Sequence, residues 1–238
     1  MNRDRSAPFV ITIDGPAGSG KSTTAREVAR RLGWHHLDSG ALYRALTLAV
    51  RRMGIPEIEW HALTDDIFLQ PEISIAPAGT RLEVLLDGSD PGPGLRDAET
   101  TRLASILAKN PRARARLTGV QRSALDFGSV VADGRDMGSV IFPDADLKVF
   151  LTASLEERAR RRLLQDGRAV DGRSVRREAE RIRHRDRTDA TREVAPLRSP
   201  PGALEIDTTE VSFHAQVRRI VGAATEAAGT LTGQAPEK

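Results

Sequence analysis

Residues 15–22 read GPAGSGKS, and they directly follow the apolar run FVITID at residues 9–14. This is a complete G-x-x-x-x-G-K-[ST] phosphate-binding loop in the setting that it requires, with a strand before it and a helix after it. The glycines let the backbone fold around a phosphate and turn its N–H groups inward. We therefore expect a nucleoside triphosphate site. The alternative is a glycine-rich turn without a ligand, which leaves Lys21 unexplained.

The chemical groups of this loop each contribute to phosphate binding. Lys21 brings a positive charge to the β- and γ-phosphates, and the hydroxyl of Ser22 can ligate Mg²⁺. The helix that begins here adds the positive end of its dipole. The predicted triphosphate-binding residues are Gly15, Pro16, Ala17, Gly18, Ser19, Gly20, Lys21, Ser22 and Thr23.

The composition limits the classes of protein to consider. The 238 residues fit one α/β domain with an insertion or two small domains, and the absence of cysteine excludes disulfides and thiolate metal sites. The N-terminus is too polar for a signal peptide, and no apolar stretch approaches the roughly 18 residues of a membrane span. We expect a cytoplasmic protein that does not contact a membrane. The net charge of +3 is weak evidence for nucleic-acid binding.

Strand and helix patterns alternate along most of the chain, which is typical of a parallel sheet with helices on both faces. Strands are predicted at residues 9–14, 34–37, 129–132, 146–151 and 203–207. Helices are predicted at residues 21–32, 40–52, 99–108, 112–125, 155–165, 174–187 and 211–228. A predicted hairpin within residues 73–86 interrupts the alternation.

Charged segments stand where two of the predicted strands end. Residues 38–44 (DSGALYR) follow the second strand, and residues 133–136 (DGRD) follow the strand at 129–132. Ligands of such sheets bind at the carboxyl ends of strands, and buried charges are costly unless a partner satisfies them. Both segments therefore predict a second ligand site. The alternative for each is a helix cap with a local salt bridge.

Arginine is concentrated in one part of the chain. Fourteen arginines lie between Arg158 and Arg198, against seven acidic residues. Because arginine makes bidentate bonds to phosphate, this segment suggests an anionic ligand. The plainer interpretation, a solvated and salt-bridged pair of helices, accounts for most of these residues.

Together these motifs resemble those of the bacterial cytidylate kinases, the (d)CMP kinases of the nucleoside monophosphate kinase group. The resemblance runs from about Phe9 to Ala228. It rests on IDGPAGSGKS (13–22), LDSGALYR (37–44), ADGRDMG (132–138), FPDA (142–145), and RDRTDATR (185–192) leading into VAPL (194–197). The D-S-G-x-x-Y-R and D-G-R-D-M-G patterns are far more specific than the phosphate loop alone.

The resemblance implies an α/β P-loop fold of three layers in three parts. The core would hold a five-stranded parallel sheet and comprise residues 8–55, 126–155 and 196–228. A monophosphate-binding insertion would occupy about 56–125, and a short lid about 156–195. The tail at 229–238 is predicted to be disordered.

The resemblance also implies an activity and a set of site residues. The chain would transfer a phosphoryl group from ATP, with Mg²⁺, to CMP or dCMP in pyrimidine nucleotide metabolism, as a monomer that binds no nucleic acid. Residues 15–23 would bind ATP, with Lys21, Arg135, Arg185 and Arg192 stabilising the transferred group. The implied CMP site comprises Ser39, Arg44, Ser105, Arg114, Arg135, Asp136, Arg185, Asp189 and Arg192.

These residues are expected to divide the nucleotide among them. Arg44 and Arg135 would hold the acceptor phosphate, and Ser105, Arg185 and Asp189 would lie near the sugar. Ser39, Arg114, Asp136 and Arg192 would lie near the base. A carboxylate can accept from the amine of cytosine, whereas uracil would require a donor at that place.

The chain departs from the family pattern at Thr188 and Ala190 in the lid, and at Asp97 in the insertion. Two other functions are compatible with the phosphate loop. One is a different small-molecule P-loop kinase, acting on shikimate, gluconate or another nucleotide. The other is an ATP-switched protein that binds nucleic acid through the arginine-rich segment, with a steep dependence on salt.

Overall fold

The computed structural model describes residues 7–232, in which strands and α-helices alternate. The strands are β1 (Val10–Asp14), β2 (His35–Asp38), β3 (Ile73–Ala78), β4 (Arg81–Leu86), β5 (Val130–Asp133), β6 (Leu147–Thr152) and β7 (Leu204–Asp207). The helices are α1 (Lys21–Leu32), α2 (Ser39–Arg52), α3 (Asp65–Leu69), α4 (Ala98–Leu107), α5 (Pro111–Arg122), α6 (Leu155–Gln165), α7 (Gly172–Ala190) and α8 (Phe213–Thr232).

The strands form one sheet in the order β3-β4-β2-β5-β1-β6-β7. Neighbouring strands are parallel except for the β3–β4 hairpin. The ends of β1, β2 and β5 lie side by side, because Asp133 is in register with both Ile13 and Asp38. The segments that follow these strands therefore share one edge of the sheet, as the sequence predicts.

The predicted count of five strands is too low, because the hairpin joins the sheet. Strand β4 pairs in parallel with β2, with Leu37 opposite Leu82. Alternate residues of β4, among them Leu82 and Val84, are buried in the same core as α2 and α5. Since the outer edge of β2 would otherwise be unpaired, the hairpin completes its hydrogen bonding as well as burying its own apolar face.

Two hydrophobic cores cover the two faces of the sheet. The larger packs α2, α4 and α5 around side chains such as Leu46, Leu107 and Leu117. The other packs α1 and α8 against Ile11 and Ile13 of β1. A third, small cluster joins α6 to α7. This last cluster is separate from both main cores, so the helix pair rests on few apolar contacts.

The predicted helices are largely confirmed: those at 21–32 and 155–165 match α1 and α6, the others have ends that differ by up to four residues, and α3 was not predicted. The predicted helix at 112–125 ends at Arg122 and continues as a 3₁₀ turn over Ser123–Phe127. Helix α8 extends to Thr232, so residues 229–232 of the predicted disordered tail are helical. Residues 233–238 lie outside the described residues. Within 7–232, no helix is long and apolar enough to cross a membrane.

Candidate active site

The loop between β1 and α1 has the backbone that its glycines predict. Gly15 has a φ of 148°, and a Cβ atom there would lie 2.0 Å from the carbonyl oxygen of Leu151. Gly20 is left-handed, with a φ of 89°, and precedes the first turn of α1. Any larger side chain at Gly15 would push the loop away from β6, so this position requires glycine.

Lys21 is folded back over the phosphate loop. Its Nζ atom donates to the carbonyl oxygen of Pro16 at 2.6 Å, and its side chain is buried at 6% exposure. Burial lowers the pKa of Lys21 well below its usual range, and the positive charges of Arg135 and Arg185 lower it further. Three cationic side chains thus face one another at the loop, which favours an anion between them.

Ser22 lies beside a buried carboxylate at the carboxyl end of β5. Its hydroxyl donates to Oδ2 of Asp133 at 2.5 Å, and Oδ1 of Asp133 is hydrogen-bonded to Nε2 of His36 at 2.7 Å. Burial would raise the pKa of Asp133, but the hydrogen bonds from His36 and Ser22 and the charge of Lys21 hold it below the ordinary value. The carboxylate is therefore charged beside the hydroxyl.

This pair of oxygen ligands fits Mg²⁺. The ion prefers hard oxygen ligands, and it usually takes one or two from protein and the rest from substrate phosphates and water. In the described part of the chain, no group of three or more His, Cys, Asp or Glu side chains could hold a metal. The hydroxyl of Ser22 and the carboxylate of Asp133 fit a Mg²⁺ ion that phosphate oxygens and water also hold.

Asp14, at the end of β1, is hydrogen-bonded to the backbone of the segment that follows β5. Its two carboxylate oxygens accept from the backbone N–H groups of Met137 at 2.9 Å and Gly138 at 2.8 Å. These residues open a single π-helical turn, Met137–Ile141. Burial raises the pKa of Asp14 to about 6 despite these two hydrogen bonds.

Arg135 reaches from this segment to helix α7. Its Nε atom donates to Oδ2 of Asp189 at 2.9 Å. Burial would raise the pKa of Asp189, but the charges of Arg135, Arg185 and Arg192 hold it below its usual value. One carboxylate thus faces three guanidinium groups, which leaves net positive charge at this point.

Arg185 is half-buried and Arg192 is buried, and each carries a buried guanidinium nitrogen without a partner in the described part of the chain. Burial lowers the pKa of Arg185 to about 10, with the charge of Arg135 as the next cause. Nε of Arg185 and Nη2 of Arg192 have no hydrogen-bond partner among the described residues. Buried guanidinium donors without partners are costly, so both arginines fit an acceptor that comes from outside the chain.

Asp136 and Arg114 form a buried ion pair between the segment after β5 and helix α5. The guanidinium of Arg114 also lies over the ring of Tyr43, 5.9 Å from its centroid. Burial raises the pKa of Tyr43 to about 12, so the ring stays neutral. Two helices and one strand end therefore meet at this pair.

Helix α2 contributes Arg44 and Ser39. Asp38 caps the helix by accepting from the backbone N–H of Ala41 at 3.0 Å, and its other oxygen accepts from Nη2 of Arg44 at 2.9 Å. Gly40 leaves room for this arginine, because a Cβ atom there would lie 2.9 Å from Nη1 of Arg44. Ser39 Oγ accepts from Nε2 of Gln121 at 2.7 Å.

Helix α7 also contacts the phosphate loop directly. The backbone N–H of Ala17 donates to Oδ1 of Asp186 at 3.0 Å. Arg158 of α6 donates to the carbonyl oxygen of Ala17 at 3.0 Å and forms an ion pair with Asp186. The carboxylate of Asp186 on α7 therefore contacts both the phosphate loop and α6.

Most residues predicted for the acceptor site belong to one connected region. Ser105 is half-buried on α4, and its hydroxyl makes no hydrogen bond among the described residues. Asp97, the departure in the insertion, caps α4 and pairs with Arg51 at 2.9 Å, which is a structural role. The roles predicted for the individual site residues stay predictions.

Sequence reasoning missed three residues that the structure places in this region, namely Gln121, Arg158 and Asp186. Gln121 follows Arg114 by seven residues, so both lie on one face of α5; this spacing could have indicated it. Arg158 and Asp186 belong to the stretch between Arg158 and Arg198, which contains many arginines and acidic residues. No local pattern distinguishes them from the exposed, salt-bridged residues around them.

Comparisons with known proteins agree with these observations. The sequence matches the family model for cytidylate kinase over residues 11–226. It is 44% identical over 216 residues to the cytidylate kinase of Pseudomonas fluorescens strain SBW25, covering 89% of this chain and 93% of that protein. It is 42% identical over 229 residues to the cytidylate kinase of Azotobacter vinelandii strain DJ, covering 93% and 98%.

Among solved structures, a gluconokinase from Sinorhizobium meliloti 1021 aligns at 18% identity and a TM-score of 0.44, covering 96% of this chain and 98% of its own. That likeness is slight. The match to the family model and the two relatives each span about nine-tenths of the chain. The chain belongs to the cytidylate kinase family.

Proposed function

We propose that this protein transfers the γ-phosphoryl group of ATP to CMP or dCMP, which gives ADP and CDP or dCDP. Membership in the cytidylate kinase family supports this activity. We place the protein in the cytoplasm as a monomer, where it would serve pyrimidine nucleotide metabolism. Its partners would be the nucleotides themselves, with neither nucleic acid nor membrane.

The observation that carries the proposal is the meeting of three cations between the two halves of the site. Burial lowers the pKa of Lys21 of the phosphate loop and of Arg185 of the proposed lid, and the charge of Arg135 after β5 lowers both further. Phosphoryl transfer spreads negative charge between donor and acceptor oxygens, and catalysis consists mainly of positioning and neutralising that charge. A cluster of cations in which Arg185 keeps a donor without a partner among the described residues suits this requirement.

On the donor side, residues 15–23 would bind the phosphates of ATP through backbone N–H groups and Lys21. Mg²⁺ would be held by Ser22 together with the phosphates, with Asp133 beside it, and would neutralise charge on the triphosphate. No general base is needed, because a phosphate monoester oxygen is already a nucleophile at neutral pH. The lid would exclude the water that otherwise hydrolyses ATP.

On the acceptor side, Arg44 and Arg135 would hold the phosphate of CMP. Asp136 would accept from the exocyclic amine of cytosine, and Arg114 would donate to its ring nitrogen and carbonyl. The Asp136–Arg114 pair supports this role, since each partner fixes the other's orientation in a buried setting. Ser39 and Arg192 would lie near the base, with Ser105, Arg185 and Asp189 near the sugar.

A coupled assay of ADP release tests the proposal, with ATP, Mg²⁺ and a panel of CMP, dCMP, UMP, AMP, GMP, gluconate and shikimate. We expect turnover with CMP and dCMP at least tenfold above that with the other acceptors. Preferred turnover of gluconate or shikimate would assign a different kinase activity. ATP binding without turnover of any acceptor would contradict the proposal and direct attention to polynucleotide binding by the arginine-rich lid, tested by its dependence on salt.

A further inference from the structure

A buried hydrogen bond links helix α5 to the first residue of α2. Nε2 of Gln121 donates to Oγ of Ser39 at 2.7 Å. Gln121 is 1% exposed and Ser39 is 4% exposed, so water does not compete for this bond. A polar side chain buried this deeply is retained only where its hydrogen bond matters to the fold or to a ligand.

The position of Gln121 on α5 points to a ligand. Gln121 follows Arg114 by seven residues, so both side chains leave the same face of the helix about two turns apart. Arg114 ends at Asp136, and Gln121 ends at Ser39. One helical face thus supplies both ends of the region in which the acceptor nucleotide is proposed to bind.

The direction of the hydrogen bond determines what the serine can do. Because the amide donates to Oγ, the hydroxyl proton of Ser39 is free to point elsewhere. None of the described residues accepts a hydrogen bond from this hydroxyl. A hydroxyl that accepts one hydrogen bond is also a better donor in the next, because linked hydrogen bonds polarise one another.

The other atom of the amide is consistent with this arrangement. Oε1 of Gln121 is buried and has no donor partner in the described part of the chain. With the amide reversed, the Ser39 hydroxyl would donate to Oε1, and it could then no longer donate to the ligand. Among the described residues, no second hydrogen bond holds the amide in either orientation, so an acceptor atom of the ligand at Ser39 suffices to select the observed one.

We propose that Gln121 is a positioning residue of the acceptor site, which holds the Ser39 hydroxyl so that it donates to an oxygen of the bound cytidine nucleotide. The inference rests on the proposed function, because it requires CMP beside Ser39. It adds to that function a residue that acts through Ser39 and does not itself enter the phosphoryl transfer.

Steady-state kinetics of Gln121→Met, Ser39→Ala and the double variant test this inference. Methionine keeps the volume of the side chain and removes the hydrogen bond. We expect Gln121→Met to raise KM for CMP about tenfold while KM for ATP stays within twofold of the wild type. In the Ser39→Ala background, the same change should alter KM for CMP by less than twofold, since Gln121 acts through the serine.

Gln121→Glu tests the direction of the bond and decides the question if the methionine variant does not fold. A carboxylate accepts from Ser39, so the hydroxyl would turn away from the nucleotide, and KM for CMP should again rise about tenfold. Gln216→Met is the matched control, because Nε2 of this buried glutamine donates to Oγ1 of Thr24 at 2.8 Å, between α8 and α1. Its KM for CMP should stay within twofold.

The outcomes separate this inference from the proposed function. If the wild type phosphorylates CMP and either folded Gln121 variant keeps a wild-type KM for CMP, the inference is wrong and the proposed function stands. Additive losses in the double variant would also overturn it, because Gln121 would then act independently of Ser39. If the wild type does not phosphorylate CMP, both fail together.

Discussion

The proposed donor and acceptor sides of the site are built in different ways. The donor side comes from one continuous stretch, residues 15–23, whose shape follows from its glycines and from the strand before it. The acceptor side is assembled from side chains on α2, α5, the segment after β5 and the lid helix α7. The first is specified locally, whereas the second exists only once the sheet and its helices are in place.

This difference suggests a division of work between the two sides. A phosphate loop is common to many ATP-dependent proteins, so it binds the phosphoryl donor but does not select the acceptor. Selection would reside in Asp136 and the side chains around it. The two sides meet where Lys21, Arg135 and Arg185 face one another. Variants on each side should therefore change different kinetic parameters.

The largest loss is expected for Lys21→Ala. This change removes the cation that the loop presents to the β- and γ-phosphates, and kcat should fall by about 10³-fold or more. The protein should remain folded, because Lys21 is a desolvated charge beside Arg135 and Arg185. Coupled kinetics and a thermal melt test both statements. Lys109→Ala, at an exposed lysine, should change neither. Wild-type turnover by Lys21→Ala would remove the loop from the mechanism.

A loss of about 10²-fold in kcat/KM for CMP is expected for Arg135→Ala. Arg135 connects the two sides, since it faces Lys21 and also donates to Asp189. Arg135→Lys should recover only part of the loss, because lysine lacks the bidentate geometry of arginine. Arg173→Ala, in an exposed part of α7, is the control. Unchanged kinetics of Arg135→Ala would show that Arg135 does not bind the acceptor phosphate.

Asp14 should make stability depend on pH in an unusual direction. Its pKa is about 6 in the folded protein against an ordinary value of 3.8, so the folded state binds the proton more tightly. The stabilising effect is therefore complete below about pH 4 and is lost as the pH rises through 6. The free energy of unfolding of the wild type, minus that of Asp14→Asn, should fall by roughly 2 kcal/mol between pH 4 and 7.

Asp171 provides a control of opposite sign for this measurement. Hydrogen bonds from the backbone N–H and hydroxyl of Ser174 lower the pKa of Asp171, which caps α7. Its contribution is therefore present above the ordinary pKa and is lost as the pH falls. Urea unfolding at a series of pH values gives both differences. A difference for Asp14→Asn that stays constant from pH 4 to 7 would refute the elevated pKa.

The smallest effect is expected for Asp186→Asn. The carboxylate of Asp186 accepts from the N–H of Ala17 in the phosphate loop, where it competes with the triphosphate and places negative charge beside it. Removing the charge should lower KM for ATP about threefold. Glu180→Gln, an exposed residue of the same helix, should leave KM for ATP unchanged. An increased KM for ATP would instead make Asp186 a support of the loop.

The sequence predicts the donor side better than the acceptor side for a physical reason. A strand, a glycine-rich turn and a helix follow one another along the chain, so Lys21 and Ser22 are placed by local geometry. Asp136 and Arg114 lie 22 residues apart, and their pairing depends on how α5 packs on the sheet. Only the resemblance to a family indicated that both belong to one site.

The features that the sequence does not reveal depend on long-range contacts. Gln121 meets Ser39 across 82 residues, and Asp186 meets Ala17 across 169. The hairpin was predicted, but its pairing with β2 was not, because an alternating strand can bury its apolar face in a separate insertion as well as at a sheet edge. Such choices are made by the whole fold and leave no local signal.

The most direct test of this division of work compares Asp136→Asn with Lys21→Ala using CMP and UMP as acceptors. The ratio of kcat/KM for CMP to that for UMP should fall about tenfold in Asp136→Asn. A carboxylate only accepts hydrogen bonds, as the cytosine amine requires, whereas the asparagine amide also carries an NH₂ donor. KM for ATP should stay within twofold in that variant, and the ratio should be unchanged in Lys21→Ala. The account would be contradicted if the CMP-to-UMP ratio of kcat/KM were unchanged in folded Asp136→Asn, or if it fell about tenfold in Lys21→Ala.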